Sequence, residues 1–358
     1  MALADRRSFI NAIGPAVPGN DVHRAFIAWA ERQIADERER NLFRRMAERS
    51  GIDHRWSVLA PGEGGGSPVE AGGFYEGASP PTSRRMQLYG EEAPKLALEA
   101  IARLSEEISL AGVTHLVVAS CTGFTAPGID QIIAEALGLE DVERTLVGFM
   151  GCYAAVSALR VAHHIVRSEP EARVLAVTVE LSSLHLQHET EVEPLLAMLQ
   201  FSDGAAAALV SAEETGFAIG HSFAVSLPAS SSLITWAIGD TGFAMQLSGE
   251  VPSRIGAMLV DDKVRARVLG AWQAGDVDAW AVHAGGRSIL DAVEKALALD
   301  ARALAASRDV LARYGNMSSS TLMFVLAELL RQPEAERGVA LAFGPGLAAE
   351  GFHFERAR

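Results

Sequence analysis

Apolar positions along this chain follow two rhythms that alternate almost throughout. Continuous apolar runs bounded by Gly, Asp, Thr or Arg read as strands over 114–120, 144–150, 172–181, 204–212, 278–283 and 338–344. Apolar residues at three- and four-residue spacing predict helices over 154–167, 287–299 and 319–331. Strand and helix signals interleaved in this way predict an α/β architecture. The Gly- and Pro-rich stretch 60–74 reads as a surface loop, because structured patterning resumes beyond it without a change of composition.

Two of these units share one plan. Residues 114–140, THLVVASCTGFTAPGIDQIIAEALGLE, and 278–300, DAWAVHAGGRSILDAVEKALALD, each run from an apolar strand to a reactive residue at its end. A Gly-containing turn follows, then a helix that opens with Ile-Asp or Leu-Asp and closes with Ala-Leu-x-Leu. The match predicts an internal duplication, with Cys121 in the first half where His283 stands in the second. The expected division is 1–215 and 216–358.

Composition narrows the field. With 358 residues and 49% hydrophobic content the chain can bury a large core. No apolar run reaches the roughly 18 residues of a membrane span, and the charged opening lacks a signal-peptide pattern, so a cytoplasmic location is expected. A net charge of −14 argues against a general nucleic-acid binder, though a local basic pocket remains open. Two cysteines make no disulfide framework, which leaves catalysis or inert burial for each.

Cys152, in GCYAAVSALRVA, directly precedes a predicted helix rich in small residues. A thiol there faces unpaired backbone N–H groups and the positive end of the helix dipole, both of which favour thiolate. A buried structural cysteine is the competing interpretation. His283 ends a strand and is followed by Ala-Gly-Gly, which permits close approach of backbone or ligand. Asn316, in YGNMSSS, follows a glycine; it fits a simple left-handed turn, and equally a side-chain NH₂ donating to an oxyanion. Cys, His and Asn together are the residue types that acylate a thiolate and stabilise an enolate or tetrahedral oxyanion.

In this order and context the chain resembles the type III polyketide synthases, the chalcone/stilbene synthase family of the thiolase fold. The matching strings are GCYAAVSALRVA, FSDGAAAALV (201–210), HAGGRSILDAVEKAL, YGNMSSS and AFGPGLAAEG (342–351), within a likeness that covers nearly the whole chain. The resemblance implies two duplicated α/β halves in a five-layered αβαβα arrangement. It implies Cys152 as the nucleophile that carries the acyl chain, with His283 and Asn316 supporting malonyl decarboxylation. It implies Phe201 as a gate between a CoA tunnel and the cavity, and Gly344, Pro345 and Gly346 as a cavity-shaping loop.

Further cavity positions implied by the same likeness are Cys121, Ser182, His185, Trp236, Met245 and Ser318. Arg45 and Arg49 match its CoA-binding basic residues, while Leu42 stands where a third is expected. Ala342 replaces the first glycine of the loop, and Ala126 precedes Pro127 where plant enzymes carry a methionine. These departures imply a bacterial-type enzyme with a reshaped cavity that opens toward an alkyl starter. The implied substrates are an acyl-CoA starter and malonyl-CoA, with no cofactor beyond CoA thioesters and no metal. The implied product is a pyrone or resorcinol, and the implied assembly is a homodimer. Two other functions stay in view: a single-condensation enzyme like ketoacyl synthase III, and a catalytically silent thiolase-fold scaffold.

Overall fold

The computed structural model describes residues 6–63, 67–77 and 79–358. Part of the expected loop 60–74, residues 64–66, lies outside them. The first part of the chain forms β1 (Phe9–Ala16), β2 (Asn20–Asp21), α1 (His23–Gln33), α2 (Glu37–Glu48), β3 (Trp56–Ser57) and α3 (Thr82–Glu107). There follow β4 (His115–Ser120), α4 (Ile129–Ala136), β5 (Glu143–Gly148), α5 (Ala154–Ser168), β6 (Val174–Leu181), α6 (Val192–Met198) and β7 (Asp203–Ser211). The remainder begins with β8 (Phe217–Ser226), β9 (Ile234–Gly239), β10 (Gly242–Leu247), α7 (Val251–Val260) and α8 (Asp262–Leu269). It ends with β11 (Ala279–Val282), α9 (Arg287–Leu297), α10 (Ala305–Tyr314), α11 (Ser320–Leu330), β12 (Arg337–Gly344) and β13 (Ala348–Arg356).

Nine strands join in the order β11-β12-β13-β8-β1-β7-β6-β4-β5. The seam between β1 and β8 consists of two residue pairs, Phe9 with Ala218 and Ile10 with Phe217. It separates two half-sheets of the same plan. β4 lies parallel to β6 as β11 does to β12, and β7 and β13 follow antiparallel. β1 and β8 then close the two series. The second half-sheet has no counterpart of β5 among the described residues.

The strand period of two sorts side chains between layers. Val117, Ala119, Val174 and Ala176 turn inward to α5 and α11, which also pack on Ala279, Ala281, Ala340 and Phe352 of the other half. Their neighbours Leu116, Val118, Leu175 and Val177 turn outward onto α3 and α4. In the second half Trp280, Val282, Val339 and Leu341 face α7 and α9. The result is five layers, helix–sheet–helix–sheet–helix, in keeping with the thiolase-like architecture. Ala205–Ala208 of β7 are fully buried, and their small side chains admit α3 on one face and α11 on the other. Both central helices begin at the same end of the sandwich as the strand ends carrying Cys121 and His283, which gathers the candidate residues.

Candidate active site

Cys152 lies between Gly151, which adopts φ 78°, and Tyr153, the N-cap of α5. A side chain at Gly151 would come within 2.5 Å of Pro345 Cδ, and one at Gly344 within 2.5 Å of Tyr153 and 3.5 Å of the Cys152 amide nitrogen. The Gly-Pro-Gly loop therefore sits directly against the Cys152 turn, and glycine is what permits the contact.

His283 leaves the end of β11 with its N–H bonded to Leu341 O (2.8 Å) and its carbonyl accepting from Gly285 N (2.9 Å). Its ring is buried, and neither Nδ1 nor Nε2 meets a hydrogen-bond partner among the described residues. Burial lowers its pKa to about 3, so the resting imidazole is neutral. Asn316 is tied to two neighbours. Its N–H donates to Gln200 O (2.8 Å), and its carbonyl accepts from Ser202 N (2.9 Å), which fastens it beside Phe201. Its Oδ1 accepts from Ser318 N (2.9 Å), and Nδ2 donates to Gly285 O at 3.3 Å. The amide is thereby oriented with its NH₂ beside the His283 turn.

Ser318, at φ 49°, places Oγ 3.8 Å from Cys152 Sγ and 3.2 Å from Cys121 Sγ. Cys121 is buried and also meets Glu180: its N–H donates to Oε2 at 3.0 Å and its thiol lies 3.4 Å from the same oxygen. Thr122 Oγ1 (2.9 Å) donates to Oε2 as well, and Ser319 Oγ donates to Oε1. Burial pushes the Cys152 thiol up to about 12, with the nearby Glu180 acting in the same direction and the Ser318 hydroxyl opposing it. The expectation that the helix N-terminus favours thiolate at Cys152 is therefore corrected: desolvation outweighs it. Cys121 is likewise raised well above the ordinary thiol range, again by burial first and Glu180 second.

A largely apolar cavity opens beside Phe201. Of the expected cavity residues, Phe201, Ser182, His185, Trp236 and Met245 line it. Cys121, Ser318, Gly344 and Pro345 instead lie about the Cys152 turn, while Gly346 O accepts from Ser230 Oγ (2.8 Å). Trp236 and Met245 face each other across the β9–β10 ribbon, and Trp236 Nε1 donates to Cys121 O at 2.8 Å, linking cavity wall to nucleophile side. His185 accepts from Phe243 N (3.0 Å) at Nδ1 and donates from Nε2 to Thr122 O (2.7 Å). It stacks on Phe243 at 4.2 Å, and burial lowers its pKa to about 3. It is a fixed wall rather than a proton carrier.

On α2, Arg45 and Arg49 are exposed, and Arg49 O accepts from Arg287 Nη1 at 3.2 Å. Arg44 pairs with Glu31 at 2.8 Å and so does not take the place left by Leu42.

Three residues of the site escape the sequence reading. Glu180 anchors the Cys121–Ser319 cluster. Asp203 accepts from Val58 N (2.9 Å), Ser183 N (2.7 Å) and Ser183 Oγ (2.6 Å), and burial raises its pKa to about 6. Arg55 is buried and donates to Phe201 O (2.9 Å) and Met198 O (3.1 Å), holding the backbone at Phe201. A signal for the two acids was present: each is a lone carboxylate at the end of an otherwise apolar strand. Among the described residues no cluster of three His, Cys, Asp or Glu side chains is arranged to hold a metal ion.

Comparison with known proteins completes the description. The family model for the N-terminal domain of chalcone and stilbene synthases matches residues 2–214, and that for the C-terminal domain matches residues 219–356. Alpha-pyrone synthesis polyketide synthase-like Pks18 of Mycobacterium tuberculosis is 34% identical over 290 residues, covering 76% of this chain and 72% of that protein. Bisdemethoxycurcumin synthase of Oryza sativa subsp. japonica is 31% identical, covering 97% of this chain and 92% of its own. The crystal structure of PKS-I from the brown alga Ectocarpus siliculosus superposes with a TM-score of 0.88 at 29% identity, covering 98% of each chain.

Proposed function

The chain belongs to the chalcone and stilbene synthase family, and from that premise we propose that it condenses an acyl-CoA starter with several malonyl-CoA units on Cys152. It is a type III polyketide synthase, an acyltransferase. The observation that carries the assignment of roles is the convergence of Cys152, the unpartnered His283 ring and the oriented Asn316 amide at one end of the two central helices.

In the resting site thiol and imidazole are both neutral, because burial penalises each lone charge. Moving the thiol proton to His283 creates both charges together, and each then offsets the other's desolvation cost. The thiolate attacks the starter carbonyl, and the departing CoA sulfur takes the proton from His283. Malonyl-CoA then loses CO₂, leaving negative charge on its thioester oxygen. A His283 N–H and the Asn316 Nδ2 amide stabilise that enolate. Its carbon attacks the Cys152 thioester, and the expelled thiolate leaves the extended chain on CoA for reloading. The two halves, 1–215 and 216–358, divide this work: the first supplies the nucleophile, the second the His and Asn.

Arg45 and Arg49 fit the role of holding CoA phosphates at the entrance. The apolar cavity beyond Phe201 suits an alkyl or aryl starter, and Trp236 with Met245 narrows one side of it. A pyrone or resorcinol-type product is proposed, the former in line with the name of the mycobacterial relative. A homodimer fits the exposed edge strand β5, whose Leu146 is half exposed. No described helix is long and apolar enough to cross a membrane.

The test is intact-protein mass spectrometry after incubation with acyl-CoA alone. Wild-type and Cys121→Ser are expected to gain one acyl group, and Cys152→Ser none. Acylation of Cys152→Ser, or unchanged product formation by it when malonyl-CoA is added, would overturn the nucleophile assignment.

A further inference from the structure

In a chain of net charge −14, one exposed helix face is basic and apolar instead of acidic. Arg38, Leu42, Arg45, Met46 and Arg49 of α2 and its C-cap fall within a strip about 100° wide at helical spacing. All five are exposed, Leu42 by 41% and Met46 by 47%. Glu39 stands at the edge of the strip, and Glu48 and the Arg44–Glu31 pair lie off it. Arg38, Arg45 and Arg49 form no ion pair among the described residues. Exposed Arg287 adjoins the strip at the Arg49 end, where it also pairs with Asp291 at 3.6 Å.

The strip lies at the entrance to the site. The opposite face of α2, Phe43 and Ala47, packs on Leu195 of α6 and its C-cap Leu199, and the chain then runs into Phe201. Its far end touches Arg287, the first residue of α9, four residues beyond His283.

Free CoA presents phosphates to the arginines and can cover at most part of the Leu–Met ridge with its adenine. A protein partner gains from both, since an apolar centre with a charged rim is the anatomy of a docking surface. We propose that this face docks an acidic acyl carrier protein, which delivers its acyl-phosphopantetheine thioester to Cys152. Charge complementarity steers the encounter, and Leu42 with Met46 forms the desolvated centre. The proposal rests on the polyketide synthase reading and names a donor for the same nucleophile. In the transfer the thioester bond to phosphopantetheine breaks, the bond to Cys152 forms, and the carrier thiol takes the proton from His283.

The experiment compares octanoyl-CoA with octanoyl loaded on a bacterial acyl carrier protein, malonyl-CoA being the extender in both. It uses wild-type, the double variant Leu42→Ser/Met46→Ser, and Arg38→Glu. Both variants are expected to lower kcat/KM for the carrier-bound starter by about tenfold or more, equivalent to about 1.4 kcal/mol. The octanoyl-CoA value is expected to stay within about twofold, which also shows that the variants fold. Failure to use the carrier-bound starter while using octanoyl-CoA would overturn the proposal and leave the synthase reading standing. Equal losses with both donors, a changed oligomeric state, or binding of the strip to anionic vesicles in place of the carrier would also overturn it. Absence of product from either donor in wild-type would instead sink the synthase reading itself.

Discussion

Glu180 sits at the end of β6 with every donor around it aimed at its carboxylate. Oε2 receives the Cys121 N–H and the Thr122 hydroxyl, and Oε1 receives the Ser319 hydroxyl. A Glu180→Gln amide has one acceptor oxygen, so either orientation sets an NH₂ group against a donor. Leaving a buried donor unpaired costs about 1–3 kcal/mol. Urea unfolding of this variant is expected to show that loss, and a midpoint unchanged from wild-type would dismiss the anchoring role. At this scale the sequence disclosed the residues that stand at Gly-flanked junctions: Cys152, His283 and Asn316. It concealed Arg55, whose partners include backbone carbonyls brought from distant elements, and marked Asp203 only as a lone carboxylate at the end of an apolar strand. No local pattern announces such contacts.

Among the elements, the turn from β5 into α5 carries the most consequence. Gly151 combines a left-handed φ of 78° with a position at which an added Cβ would lie 2.5 Å from Pro345 Cδ. Alanine there meets both a steric and a conformational penalty, and the displacement falls on the next residue, Cys152. Gly151→Ala is therefore expected to lower kcat by about tenfold or more, since small misplacements of a reacting group are expensive. Wild-type turnover in that variant, measured by product formation from saturating CoA substrates, would show that the turn does not set the nucleophile. The named strands and helices were legible from their periodicity. Helix α3 was less so, because Gly90 and Pro94 interrupt its pattern while Ala93, Leu96 and Ala97 pack it against the sheet. Tertiary burial keeps the helix continuous where local preference would break it.

Across the whole molecule, several buried histidines are held neutral. Burial depresses His23 and His163 to about 4 and His185 and His283 to about 3, all below the unfolded value of 6.5. Below pH 6.5 the unfolded chain takes up protons that the folded chain refuses, so stability falls with pH. Each such histidine contributes about 1.4 kcal/mol per pH unit until its folded pKa is reached. Asp203 works in reverse. Its folded pKa of about 6 lies above the unfolded 3.8, so it recovers stability as pH falls between those values. Glu180, also raised, acts in the same sense. Four histidines outweigh two carboxyls, and the urea midpoint is expected to drop from pH 7 to pH 5; a constant or rising midpoint would contradict this balance. The five-layer plan was implied by the sequence resemblance, whereas the two-pair seam and the bareness of β5 follow from how the halves meet, which no run of residues encodes. That bareness limits growth. β11, at the opposite margin of the sheet, is wholly buried, while β5 is open along nearly its length. A body with a single free margin can mate once, with a copy of itself turned about a twofold axis, and then has none left to offer. Edge-to-edge assembly through this sheet therefore terminates at a pair and cannot propagate into a fibre.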